Sequence, residues 1–434
     1  MASAGSQGGP RQARALVLAR RAKLWLVPSI LCGLVAVVLS LLYMGGILNP
    51  TGHLHRLPIA LVNEDQGPPP SGRSENLGTR LSREVVAQTP GGTVDWRQVG
   101  QTEAMDQVSS GKVYGALLIP PGFTADVAAL TTGRATERPT LTVLTNPGLG
   151  SLGSSLASQI TQSAAHQASL TIGKELTAAT PPASRPGTGT GATATARLLL
   201  ADPIAVTTRV GHPIGTHSGL GLSAFYYTLL AVLTGFVGGN IIHNGVDTAL
   251  GYSDSEIGPW HTRRPTVPIT RTQTLLLKMV MTAGIMLLTT TLVMICSVTV
   301  LGMDAPHQGL LWVFAYCASL AVGLGVQAIN AALGGIGQLV SMFVFIALAL
   351  PSSGATIPLQ AVPGFYRFLG LFEPMRQLSD GIRAILFFDA RADAGLARAW
   401  TMIAIAVVLA LAFGFAMTRY YDRKGLHRWT PQPE

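Results

Sequence analysis

Six stretches of this chain are long, apolar and nearly free of charge, and a chain with such stretches folds as a membrane protein. A bilayer core about 30 Å thick takes roughly 20 apolar residues in a helix that rises about 1.5 Å per residue. Leu24 to Leu48 carries no charge. Leu220 to Ile242, Thr274 to Leu301, Gly309 to Ala331 and Trp400 to Thr418 follow, with Lys278 near one end of the third stretch. That lysine reads as interfacial, snorkelling to the membrane edge. Gly334 to Leu350 is the shortest, bounded by the Leu333-Gly-Gly-Ile-Gly337 turn and by Pro351. It counts as a span because an even number keeps the later segments in register. Soluble helices of this length need a polar face, which these lack. Only 12% of the residues are charged, against about a quarter in a soluble domain.

Orientation follows from Lys and Arg near the span ends. Arg11, Arg14, Arg20, Arg21 and Lys23 precede span one. Arg263, Arg264 and Arg271 lie between spans two and three, with Lys278 just inside span three, and Arg419, Arg423, Lys424 and Arg428 follow span six. Six spans put all of these on one side, which reads as the cytoplasm. The loop 351–398 pulls the other way with Arg367, Arg376, Arg383, Arg391 and Arg398, close in sequence to Glu373, Asp380, Asp389 and Asp393. The net charge of +9 therefore reports topology and contact with anionic lipid, not a nucleic-acid partner. The first apolar run, about 25 residues, exceeds a signal-peptide core and reads as a retained anchor.

Residues 49–219 are too many for a loop. Leu57-Pro-Ile-Ala-Leu-Val62 reads as a buried strand closed by the polar turn Asn63-Glu-Asp-Gln-Gly67. Leu77, Leu81 and Val85 recur every four residues, as on a helix. An extended Thr93 to Val99, a helix Glu103 to Ser110, a strand Val113 to Ile119, a helix after Pro120-Pro-Gly122 and a strand Thr140 to Thr145 come next. A long helix from Leu152 to about Ala179 and an extended Asp202 to Val210 read as a stalk back to the membrane. This alternation implies an α/β layer domain.

Chemistry is sparse. The three cysteines, Cys32, Cys296 and Cys317, all fall inside spans, so no disulfide framework or metal-ligand spacing exists. The outer domain has no G-x-S-x-G elbow, and the chain has no phosphate-binding G-x-x-x-x-G-K-[ST] loop. No catalytic, cofactor-binding or metal residue is assigned, and the chain is not read as an enzyme. The predicted spans hold no Asp, Glu, Arg or His, which argues against a self-contained ion-coupled transporter. Asn240, Gln327, Asn330 and Gln338 read as helix–helix hydrogen bonders.

The order of parts, one span, a large outer domain, then five spans, resembles the type-2 ABC exporter permeases, in particular their YhgE/Pip-like branch. Leu57 to Gly67 looks like that branch's first outer strand and acidic turn, and Val113 to Phe123 like its second strand and following helix start. Gly219-Leu-Gly-Leu-Ser-Ala-Phe225, Ser352 to Gln360, Pro363-Gly-Phe365 and Asp380-Gly-Ile-Arg383 are similar to its later segments. The chain has Glu373-Pro-Met-Arg376 where the family often has a proline and an aromatic. The resemblance implies a dimeric or pseudo-dimeric permease that exports a lipid-like, peptide or drug-like substrate. ATP would be bound and hydrolysed by a separate nucleotide-binding subunit. Candidate coupling residues are His243, Tyr252, Asp254, Glu256 and Trp260. Candidate outer-gate residues are Glu373, Arg376, Asp380 and Arg383, spaced for helical ion pairing. A rival reading in the same family is a surface or secretion-accessory protein whose outer domain binds partners without transport.

The expectation is thus an α-helical polytopic protein of the plasma membrane, six spans with both termini cytoplasmic, carrying an inserted extracytoplasmic α/β domain. Its parts are a basic lead helix (1–23), span one (24–48), the outer domain (49–219, flexible at 180–196) and span two (220–242). A cytoplasmic coupling loop (243–273), spans three to five (274–350), a re-entrant or interfacial hairpin (351–399), span six (400–418) and a tail (419–434) complete it.

Overall fold

The computed structural model describes residues 22–69, 74–131, 138–179 and 201–428. Most of the lead segment, the 180–196 stretch and the last residues of the tail lie outside the described residues. Among the described residues, four helices are long and apolar enough to cross a membrane: Ser223–Ala249, Arg271–Val300, Gln308–Ser352 and Leu396–Arg423. The first helix, α1 (Ala22–Ile47), adds a shorter apolar stretch, Cys32–Ile47.

The 45-residue segment is folded back on itself. It runs as α8 (Gln308–Leu333), breaks at Gly334 (φ 61°, ψ −130°), and resumes as the short helix α9 (Gly337–Met342) and a π turn, Phe343–Ala347. In a straight helix, 20 residues would separate Gly325 from Phe345 by about 30 Å. Instead the Phe345 ring lies 2.7 Å from where a β-carbon on Gly325 would sit. Gly334 allows the reversal because its backbone conformation is one that a side chain disfavours.

The β1 strand (Leu57–Asn63) lies inside a five-stranded sheet of order β2-β1-β3-β4-β5, with β2 Val94–Gln98, β3 Gly115–Ile119, β4 Thr140–Thr145 and β5 Ala205–Val210. The β3–β4 pair is antiparallel and the others are parallel. Alternate residues face opposite layers. On one face Leu61, Leu117, Leu141 and Val143 pack against α2 (Leu77–Gln88), α4 (Phe123–Thr131) and α5 (Ser151–Ala179). On the other, Ala60, Val62 and Ala116 meet Ala104 and Val108 of α3 (Gln101–Ser109). The acidic turn has a structural task. Asp65 accepts from Gly67 N at 3.0 Å, Thr124 N at 3.1 Å and Gly78 N at 2.9 Å, so its charge sits against the starts of α2 and α4.

The expected stalk is not one. Ala165, Ala168 and Ile172 of α5 are buried in the domain core, and β5 is the edge strand of the sheet. The sequence reads 202–210 as extended, but nothing local in it shows that this segment pairs with β4.

In the helix bundle, α8 (Gln308–Leu333) packs against α6 (Ser223–Ala249), α7 (Arg271–Met294) and α11 (Leu396–Arg423). Small residues bring the backbones close, as is usual for helices in lipid. A β-carbon on Gly235 would meet Ser319 O at 2.5 Å, and Ser319 Oγ donates to Ala231 O at 2.9 Å.

The α/β domain sits on one end of this bundle, held by the 351–398 segment. Lys112 Nζ reaches Asp393 at 2.6 Å and Arg391 reaches Asp106 at 2.9 Å. Those two cations hold the Asp393 carboxyl down at about 2, the Lys112 hydrogen bond contributing most. His55 N donates to Gln360 O at 2.7 Å, and His212 Nε2 donates to Phe387 O at 2.7 Å. His212 through its ring and His55 through its backbone thus fasten the domain to that segment.

Candidate functional site

At the end of the bundle away from the domain, charged side chains from three helical elements meet. The α6 helix runs to Ala249, seven residues past the predicted boundary at 242, so His243 and Asp247 lie one turn apart on one helical face. Lys278 comes from the second turn of α7, and Arg428 follows α11. Asp247 Oδ1 accepts from Lys278 Nζ at 2.7 Å and from Arg428 Nη1 at 2.8 Å, and Oδ2 accepts from Arg428 Nη2 at 2.9 Å. Lys278 Nζ also donates to His243 Nδ1 at 3.0 Å. The neutral ring then carries its proton on Nε2, which faces Asp247 Oδ2 at 3.3 Å.

Two sequence expectations are corrected here. Lys278 does not snorkel: it is 3% exposed and paired. Nor are the apolar helices free of acid, since Asp247, 5% exposed, lies on one of the four long ones. The lack of internal charge therefore no longer argues against ion coupling. Burying an ion costs several kcal/mol unless it is paired, and this set is paired on every side.

The cluster lines a 260 Å³ cavity with Asn244, Arg271, Asn330 and Gln338. The intramembrane amides link helices: Gln327 Nε2 donates to Gly239 O at 2.9 Å, Asn330 Nδ2 to Asn240 Oδ1 at 3.1 Å and Gln338 Nε2 to Asn244 Oδ1 at 2.9 Å. Asp422 of α11 caps α7 by accepting from Arg271 N at 2.9 Å and Thr272 N at 3.0 Å. The two hydroxyls that line the cavity, Thr274 and Thr418, donate to the carbonyls of Thr270 and Gly414. Among the described residues no group of three or more His, Cys, Asp or Glu could hold a metal ion. The arrangement holds and pairs charge.

The predicted coupling residues divide into two groups. His243 is part of the charge cluster. Tyr252 touches it from outside, its ring 4.5 Å from the Arg428 guanidinium and its hydroxyl donating to Val267 O at 2.7 Å. Beyond it, β6 (Ser255–Ile257) and β7 (Trp260–Thr262) form a small antiparallel hairpin. Glu256 is exposed there, and Ile257 and Trp260 are 72% and 74% exposed. Asp254 braces the hairpin base, 3.5 Å from His261 and 3.7 Å from Arg263. Sequence reading missed Asp247 and Arg428. The available signal for Asp247 was the four-residue spacing from His243, with no proline before Pro259 to stop the helix.

The predicted gate residues lie at the opposite end, under the α/β domain, on α10 (Pro374–Phe387) or at its start. Glu373 caps that helix, accepting from Met375 N and Arg376 N at 2.9 Å each. Arg383 donates to Ala355 O at 2.6 Å. Asp380 lies 3.9 Å from Arg376 and 3.8 Å from Arg383, so the helical spacing gives ion pairs but no direct hydrogen bonds.

A bundle of long apolar helices with a buried charge cluster at one end and a small α/β domain at the other defines a helical membrane protein. Residues 28–408 match the model of DUF3533, a family described as proteins of unknown function, and the chain belongs to that family. No curated protein and no solved structure matches it.

Proposed function

We infer that this protein is the membrane-embedded permease of an exporter driven by a separate nucleotide-binding subunit. The observation that carries the reading is the β6–β7 hairpin. It presents Ile257, Trp260 and Glu256 to the surroundings, yet Tyr252 at its base is stacked on Arg428, which grips Asp247. A push on the hairpin would reach α6, α7 and the end of α11 through one buried carboxylate. In this reading six spans cross the membrane, counting α1 and both legs of the folded-back segment, and the hairpin is cytoplasmic. The substrate class is apolar or amphipathic: a 340 Å³ cavity between α8, α10 and α11 is lined by Val322, Ile329, Phe345, Leu378, Ile403 and Phe413.

The test is affinity isolation of the intact protein from native membranes. An ATP-hydrolysing subunit is expected to co-purify, and Trp260→Ala with Glu256→Lys to lose it while membrane insertion is kept. Recovery of no such subunit with the intact protein overturns the reading. The buried Asp247–His243–Lys278 set favours a second reading, export energised by protons, since such sets serve as proton relays in transporters. It expects transport to collapse with an uncoupler while ATP is plentiful.

A further inference from the structure

A second polar cavity, of 190 Å³, lies in the seam between the α/β domain and the hairpin 351–398. Lys112 and Tyr114 line it from the domain; Arg376, Asp380 and Arg383 line it from α10. Lys112 is committed to Asp393. The two arginines face one carboxylate, which stands beyond hydrogen-bond reach of both, at 3.9 and 3.8 Å. Arg383 has a side chain only 6% exposed, and its Nε is buried with no hydrogen-bond partner among the described residues. Among the described residues the Arg376 guanidinium meets only Gly370 O at 3.0 Å besides that distant carboxylate. The buried Tyr114 hydroxyl makes one long bond, 3.4 Å to Gln360 Oε1. A buried guanidinium nitrogen left without an acceptor carries the full cost of its desolvation. The cavity therefore combines net positive charge, open donors and space.

We propose that this seam is a binding site for a phosphate group, received by Arg376, Arg383 and the Tyr114 hydroxyl. Two planar guanidiniums and a hydroxyl approaching from both walls suit a group with several charged oxygens better than a halide ion. The phosphate group is either free or the headgroup of an anionic lipid. Because the donors come from both the domain and the hairpin, occupancy staples the two together. The site lies far from the Asp247 cluster and stands whether or not the transport reading does.

The test uses the purified full-length protein in a zwitterionic detergent and phosphate-free buffer. Calorimetric titrations are run with inorganic phosphate and with a soluble short-chain phosphatidic acid, against sodium chloride at matched ionic strength. Saturable binding of either phosphate compound is expected, and the arm that binds identifies the source. Arg376→Gln should weaken binding about tenfold or more, the size of one charge-assisted hydrogen bond. Asp380→Asn removes the competing carboxylate and should tighten it severalfold. These opposite signs carry the test without Arg383→Gln, which also loses the bond to Ala355 O and risks misfolding. Absence of binding in both arms, or equal binding by wild type and both variants, overturns the proposal.

Discussion

Removing the Asp247 carboxylate would leave Lys278 buried with only an imidazole nitrogen as partner. Breaking a buried pair from one side costs about 3–5 kcal/mol, because the remaining charge stays desolvated. Asp247→Ala is therefore expected to lower thermal stability in detergent by an amount of that order. Lys278→Met should cost less, since Asp247 keeps its two-pronged bond to Arg428. Adding Lys278→Met to Asp247→Ala should return most of the loss; a double-variant loss equal to the sum of the two single losses would mean that the pair is not coupled. Glu373 gives a pH signature at the other end. Burial pushes its carboxyl from 4.5 up to about 8, against the pull of the two backbone N–H groups that it caps. An acid with a raised folded-state pKa stabilises the fold below its unfolded pKa and loses that contribution as pH rises through the folded one. Stability should thus fall between about pH 4.5 and 8. Glu373→Gln keeps an oxygen at the cap and should flatten that part of a melting-temperature profile; an unchanged slope would assign it to another group.

Between elements, contact distance decides what a residue tolerates. Gly235 of α6 faces the α8 backbone with no room for a methyl group, whereas Gly284 of α7 has nothing within 4 Å of the same position. Gly235→Ala should cost about 1–3 kcal/mol by overpacking, and Gly284→Ala should be neutral or slightly stabilising, both read by thermal melts. The contrast also marks what sequence can and cannot reveal. Both glycines sit in apolar helical text, and only the partner helix distinguishes them. Local periodicity was legible: Leu77, Leu81 and Val85 do line one helix, and Leu57 to Val62 is a central strand. The site was less so, because its partners are remote. Arg428 and Asp247 are 181 positions apart, and hydropathy ended the helix at the first polar residues, just before the turn that carries His243 and Asp247. The fold-back at Gly334 was read as a glycine-rich turn, but no sequence pattern placed Phe345 against Gly325.

Across the whole molecule, the two ends of the bundle differ in how their cations are matched. On the domain end, Arg391 pairs with Asp106 and Asp393, and Arg376 and Arg383 flank Asp380. On the far end, Arg263 has one distant acid, and Arg264, Arg419 and Lys424 stand exposed on or near the connections. Orientation in membranes follows Lys and Arg in short flanking segments, with acids counting for little, so the domain-end arginines cannot be discounted by their pairing alone. What sets them apart is that they are docked against a folded domain of about 170 residues, and domains of that size cross largely regardless of charge. The far end should therefore face the cytoplasm. This can be read directly after replacing Cys32, Cys296 and Cys317, by placing one cysteine at Asp389, 85% exposed on the domain end, or at Trp260 on the hairpin. An impermeant maleimide added to intact cells is expected to label Asp389→Cys at once, and Trp260→Cys only after the membrane is opened. The reverse pattern would invert the molecule, putting the β6–β7 hairpin out of reach of any cytoplasmic subunit and ending the permease reading with it.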